Sequence, residues 1–152
     1  NVPRDPQEIF WCSLGILLAP TRSHSGVGGE SFAAISKLSP PTILVCINKK
    51  AAIHEILELE DNFCINILNS GQQEIAEICS GKQEGEVRFE AGTWLDDLGS
   101  PFLYEAQSNI FCKCIETIDQ LSHTIFLGEV LNIKNNKKRS PLIYLDGEFT
   151  KI

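Results

Sequence analysis

Six uncharged residues, Thr42-Ile43-Leu44-Val45-Cys46-Ile47, lie between Pro40-Pro41 and Asn48-Lys49-Lys50. A double proline cannot continue a helix or supply the donors of a central strand, so a new element begins after it. The length and β-branched content of the run predict a strand, apolar on both faces and hence buried. Small residues precede it (Gly26, Gly28, Gly29, Ser31, Ala33, Ala34). They predict a second strand over 27–35, whose glycines would weaken it unless something approaches the backbone closely. After the run, Asn48-Lys49-Lys50 reads as a basic turn opening an amphipathic helix over Ala51 to Glu60. Ile53, Ile56 and Leu57 lie on its inner side, with Glu55 and Glu58 outside. His54 falls on its first turn. A helix N-terminus attracts phosphate through its free N–H groups and dipole, and two lysines beside it add charge. The stretch from Gly26 to His54 therefore suits a flat, phosphorylated ligand.

The other elements follow in order. Asp5-Pro6-Gln7-Glu8 marks a helix start, with Ile9, Phe10 and Leu14 on its buried side and Gly15 at its end. Ile16 to Ala19 reads as a strand, and Thr21 to Ser25 as a turn exposing His24. Phe63 to Leu68 is a strand with one polar interruption, Asn66. Ser70 and Gln73 have the spacing of a capping box, and Ile75, Ile78 and Cys79 form a helical apolar stripe. Residues 80–100 read as one long polar connection in which Asp96 and Asp97 are turn residues. Strands are predicted over Ile110 to Ile118, over Thr124 to Ile133, and as a hairpin of Leu142 to Leu145 with Phe149 to Ile152 around Asp146-Gly147. The total is six or seven strands and about three short helices. The strands are mostly neighbours in sequence, which favours an antiparallel barrel over a parallel α/β sheet. With no repeat or linker, residues 1–152 read as a single domain.

Charge and composition exclude several function classes. A net charge of −7 opposes non-specific nucleic-acid binding and docking on anionic membranes. No run of about 18 apolar residues exists, and the first residues lack an apolar signal core. The six cysteines sit in apolar segments, which predicts free thiols in a reducing cytoplasm. No cluster has zinc spacing, so no metal is expected. The absence of Met, even at position 1, reads as a trimmed or fragmentary start. Ser-His-Asp order, HExxH and P-loop patterns are missing, and the Gly-rich run is not a dinucleotide fingerprint. His123, just before Thr124-Ile125-Phe126-Leu127, has two readings: a loop histidine at a strand end, or a polar group at a barrel mouth facing a ligand.

Four stretches together resemble the flavin reductase-like, FMN-binding split-barrel family, which includes the small reductase components of two-component flavin-dependent monooxygenases. They are Gly26 to Cys46 with Pro40-Pro41; Asn48-Lys49-Lys50 through His54; Phe63-Cys64-Ile65-Asn66-Ile67-Leu68 with Gln72-Gln73; and His123 to Val130 with Pro141-Leu142-Ile143-Tyr144. The resemblance runs from about Gly26 to the end. Three positions depart from the family pattern. Gly28-Gly29-Glu30 stands where hydroxyl and amide residues are common, Lys50-Ala51-Ala52 replaces hydroxyls after the basic residue, and Leu121-Ser122 replaces Gly-Asp.

The resemblance implies a mainly β chain, a six- to seven-stranded antiparallel Greek-key split barrel of the FMN-binding type. It implies an NAD(P)H:flavin oxidoreductase that binds FMN or FAD at a homodimer interface, takes hydride from NADH or NADPH, and supplies reduced flavin to an oxygenase component. The implied flavin contacts are Gly28, Gly29, Glu30, Ser31, Phe32 and Ala33 along the ring. Ser36, Asn48, Lys49, Lys50, Ala51, Ala52 and His54 would serve the ribityl chain and phosphate, and His123 would lie at the nicotinamide or flavin edge. The alternative is a flavin-binding split barrel, an electron carrier or inactive homologue, without efficient reductase activity.

Overall fold

The computed structural model describes residues 13–14, 16–20, 32–36, 39–59, 61–79, 89–136, 140–145 and 148–150. Its centre is one antiparallel sheet of six strands: β2 (Ile16–Pro20), β3 (Phe32–Ser36), β4 (Thr42–Asn48), β5 (Asn62–Ile67), β8 (Ser108–Gln120) and β9 (His123–Asn135). Their order across the sheet is β2-β5-β8-β9-β4-β3, so the two long strands β8 and β9 lie in the middle. The sheet curls into a half-barrel, as the mainly β expectation required. Two smaller sheets complete the description. β1 (Ser13–Leu14) pairs with β10 (Ile143–Leu145), which pairs with β11 (Glu148–Thr150). β6 (Trp94–Asp97) pairs with β7 (Ser100–Leu103). Helix α1 spans Ala52–Leu59 and α2 spans Gln73–Glu77.

The core follows from alternation. Ile43, Val45 and Ile47 of β4 are buried on one face, and their register partners Gly128, Phe126 and Thr124 of β9 are buried with them. Ile53 and Leu57 of α1 cover this face together with Phe63 and Ile65 of β5. Each such side chain contributes roughly 1.5–3 kcal/mol by leaving water. Gly128 is required by packing. A Cβ there would lie 2.5 Å from Phe63 Cζ and 2.9 Å from Cys112 Cβ.

The opposite face of β5 is also covered. The β6–β7 hairpin lies across it, with Phe102 against Cys64 and Phe111. Asn66, wholly buried, is the polar link between these layers. Its Oδ1 accepts from the Leu103 backbone N at 2.9 Å and from Asn109 Nδ2 at 2.8 Å. The polar interruption in an apolar strand is thus a hydrogen-bond post for the hairpin above it.

Several sequence expectations change. Strand β4 is buried on one face only, because Leu44 and Cys46 are half-buried and no described element covers them as β7 covers β5. Residues 80–100 are not one structureless loop: they contain β6 and the start of β7. Asp96 and Asp97 lie on a strand, and Asp97 pairs with Lys134 Nζ at 2.8 Å. That ammonium also sits over the Phe102 ring, 4.1 Å from its centroid, and holds the Asp97 carboxyl below its usual range. Ser70 does not cap α2. The N-cap is Gln72, whose Oε1 accepts from the Asn69 N at 2.9 Å, while its carbonyl receives the Ala76 N–H at 3.1 Å. Ser13 and Leu14 form a strand where the end of a helix was expected; most of that helix, the turn at 21–25 with His24, and Asp146-Gly147 lie outside the described residues. The strands flanking Asp146-Gly147 do pair as a hairpin, Leu145 opposite Glu148. Cys46, Cys64, Cys79, Cys112 and Cys114 are free thiols, and burial pushes Cys112 up to about 12 and Cys64 higher still. Cys12 lies outside the described residues.

Replacing the buried amide tests its role. Asn66→Leu orphans the Leu103 N–H and the Asn109 amide, at a cost of about 2–4 kcal/mol. Chemical denaturation should show a lower midpoint with an unchanged slope; an unaltered midpoint would mean the β6–β7 hairpin is held by apolar contact alone.

Candidate functional site

Two parts of the chain meet at one end of the sheet. The β4–β9 register runs from Thr42 opposite Glu129 to Asn48 opposite His123. The basic turn that follows Asn48 therefore lies beside the two-residue tip, Leu121-Ser122, that precedes His123. The contact is direct, since the Lys49 backbone N donates to the Ser122 carbonyl at 2.9 Å.

The turn is built by its own residues. Ala51 N donates to the Asn48 carbonyl at 2.9 Å, and Lys50 N donates to Asn48 Oδ1 at 2.9 Å. Asn48 thus closes an Asx turn, the usual local use of its side chain. The N–H groups of Lys49, Lys50 and Ala51 are all consumed inside the protein. At the start of α1, His54 N donates to the Ala51 carbonyl at 3.0 Å, which leaves the N–H groups of Ala52 and Ile53 as the first-turn donors. Lys49 and Lys50 are both exposed, and Lys49 forms an ion pair with Asp119 of β8.

The two faces of the sheet divide the remaining residues. Asn48, Cys46 and Leu44 are opposite His123, Ile125 and Leu127, and all six are half-buried. Ile118 continues this face onto β8, opposite Ile125. The result is an apolar face with a polar Asn48–His123 end. Ser122 Oγ lies 2.8 Å from His123 Nδ1.

His54 takes the other direction. Its ring is 5% exposed, its Nε2 lies 2.7 Å from Thr124 Oγ1, and it meets Phe126 edge-on at 5.8 Å between centroids. Its Nδ1 faces Glu58 Oε2 at 3.8 Å. The sequence expected His54 at the phosphate, but its side chain is spent joining α1 to β9. Helical spacing explains this: His54 sits one position after Ile53 and three before Leu57, inside the buried arc.

Strand β3 is an edge strand beside β4. By register Phe32 lies opposite Cys46, Ala33 opposite Val45 and Ser36 opposite Thr42. Phe32 and Ala33 are therefore placed at the end that carries Asn48 and His123. Ser36 is six residues away along β4, about 20 Å at strand rise, so it cannot share a phosphate with Lys50. Gly28, Gly29, Glu30 and Ser31 lie outside the described residues. Among the described residues no group of three or more His, Cys, Asp or Glu side chains could hold a metal ion, and no helix is long and apolar enough to cross a membrane. The residues the sequence reading missed are Asp119, Ser122 and Thr124. Their side-chain partners are 70 residues distant for Asp119 and Thr124, so only strand pairing reveals them.

A six-stranded antiparallel half-barrel, with a basic turn and a histidine at one end of its paired strands β4 and β9, defines the class: a split-barrel, flavin-type binding fold. Residues 20–152 match the family described as flavin reductase like domain, and the chain belongs to that family. It is 31% identical over 124 residues to the reductase component of the FADH(2)-dependent resorcinol hydroxylase of Rhizobium sp. (strain MTP-10005), covering 80% of this chain and 69% of that one. It is 30% identical over 130 residues to the FMN reductase (NADH) RutF of Pseudomonas syringae pv. syringae (strain B728a), covering 84% and 73%. The fold is also that of Streptomyces globisporus C-1027 NADH:FAD oxidoreductase SgcE6, with a TM-score of 0.87 at 24% identity over 99% of this chain and 95% of that one.

The placement of His54 is testable. His54→Ala leaves a cavity and an orphaned Thr124 hydroxyl, and should cost about 2–3 kcal/mol of stability. Flavin affinity, read by fluorescence quenching below the unfolding range, should change less than about twofold. A large loss of affinity with unchanged stability would return His54 to the ligand.

Proposed function

We propose that the chain is an NAD(P)H:flavin oxidoreductase that binds FMN or FAD and supplies reduced flavin to a partner oxygenase. The observation that carries this reading is the Asn48–His123 register, which joins the basic turn and the histidine at one end of the sheet in a member of the flavin reductase-like family. The RutF relative is named for NADH, which favours NADH as the donor, and another relative is the reductase component of a hydroxylase.

The residues present fit a flavin. Lys50 and the first-turn N–H groups of α1 suit its phosphate. Phe32 and Ala33 bring edge-strand backbone close by, and the half-buried face of Leu44, Cys46, Ile125 and Leu127 suits a flat ring. A bound flavin accepts a hydride from the reduced nicotinamide and carries the redox chemistry. The protein contributes orientation and exclusion of water. With Ser122 Oγ at Nδ1, His123 presents Nε2 to a ligand. When the hydroxyl donates to Nδ1, the neutral ring carries its proton on Nε2 and offers a donor. The role assigned to His123 is positioning.

The chain acts as one domain in this reading, and two copies meet across the uncovered face of β4 and β9. That face is apolar, continuous and half-exposed, whereas the comparable face of β5 is covered by its own hairpin. Free thiols fit a cytoplasmic protein.

Steady-state NADH oxidation should depend on added FMN or FAD. His123→Ala should lower turnover by about 10²-fold while flavin affinity stays within about threefold. Flavin binding without NADH oxidation would instead support a carrier, and no binding of either flavin would sink both readings. Sedimentation velocity should give a dimer that Leu127→Glu converts to monomer; a native monomer would remove the shared-face reading.

A further inference from the structure

We propose that Asp119 tunes the basic turn, holding Lys49 in a surface ion pair so that flavin phosphate meets one free lysine and stays exchangeable. This rests on the reading of the turn as the phosphate end of the site. The two lysines are adjacent in sequence but differ in their surroundings. Lys49 is anchored twice to the β8–β9 tip, by its backbone N–H to the Ser122 carbonyl and by its ammonium to the Asp119 carboxylate. Lys50 has its backbone N–H on Asn48 Oδ1, and its side chain is exposed. The turn thus presents about one unit of positive charge where the sequence holds two.

Alternation explains why Asp119 reaches Lys49. Asp119 is opposite Thr124, on the sheet face that carries α1, whereas His123 and Gln120 share the other face. The carboxylate therefore approaches the turn from the helix side, where first-turn donors and lysine charge would meet a phosphate. A dianionic phosphate and the carboxylate compete for the same ammonium. The pair is largely exposed, with Asp119 at 77%, so the carboxylate discounts the lysine charge by the modest amount of one surface ion pair. A reductase that releases its reduced flavin to another protein needs such an exchangeable hold. A second free lysine would tighten the oxidised and reduced forms alike, since both carry the same phosphate.

The test compares FMN with riboflavin, which lacks the phosphate. Asp119→Asn should bind FMN about fivefold more tightly, the scale of one exposed ion pair, and riboflavin within about twofold of the native protein. The FMN affinity of this variant should also fall more steeply with salt. Adding Lys49→Gln should abolish the gain, because the released ammonium is what the phosphate takes up. Native protein that prefers FMN over riboflavin, with no gain in Asp119→Asn, overturns this proposal alone. Equal affinity for the two flavins in the native protein removes the phosphate reading of the turn and the proposal with it. Parallel weakening of both flavins in Asp119→Asn would make Asp119 a structural brace for the tip and also overturn the proposal.

Discussion

The Asn66 amide sits with no exposed surface between the sheet and the hairpin that covers it. One oxygen receives the Leu103 backbone N–H and the Asn109 side chain, and the Asn109 Nδ2 also donates to the Leu103 carbonyl at 3.1 Å. The hairpin's last residue, strand β5 and strand β8 are thereby fixed to one another. Because a buried amide costs several kcal/mol unless paired, the layer above can sit only where these bonds form. Asn69 repeats the device one turn later, with its Nδ2 donating to the Glu105 carbonyl at 2.6 Å. Apolar contact alone would let the hairpin slide; the amides set its position.

This covering layer also explains the site by contrast. The sheet has one face covered over β4, β5 and the facing part of β9 by α1 and the apolar core, but its other face is covered only over β5 and its neighbours. Over β4 and β9 the same face is left half-exposed, and it ends in Asn48 and His123. The candidate binding surface is the part of a two-sided sheet that received one cover instead of two. Its polar end is stiffened because the Asx turn, the Lys49–Ser122 bond and the Lys49–Asp119 pair tie the turn to the tip. Leu121 tops that tip at 93% exposure with φ of 49°, an apolar side chain in the left-handed region.

Much of the fold was legible in local pattern. The runs at 42–47, 63–68 and 124–133 announce strands because β-branched and apolar residues cluster without helical spacing, and the Ile53, Ile56, Leu57 stripe announces α1. The hairpin β6–β7 was not legible, because Trp94 to Asp97 alternates poorly and its stability comes from Asn66 and Phe111 beneath it. Ser70 and Gln73 have capping spacing, yet the N-cap position of α2 falls on Gln72, whose side chain makes no capping bond and instead accepts from the Asn69 N–H. For the site, residue type pointed to His123 and the lysine turn. It misplaced the His54 ring, whose fate depends on Thr124 and Phe126 across the sheet.

By itself, the sequence determined most of the element types, the antiparallel β class, the family and the presence of a basic turn and a lone histidine before a strand. These depend on local periodicity, turn chemistry and residue type, all readable along a single chain. Only the tertiary structure decided that the turn and the histidine adjoin, that Ser36 lies too far from Lys50, and that Asp119 occupies Lys49. Those outcomes depend on strand register, which brings together residues far apart in sequence, and a shift of one residue would turn each side chain to the opposite face.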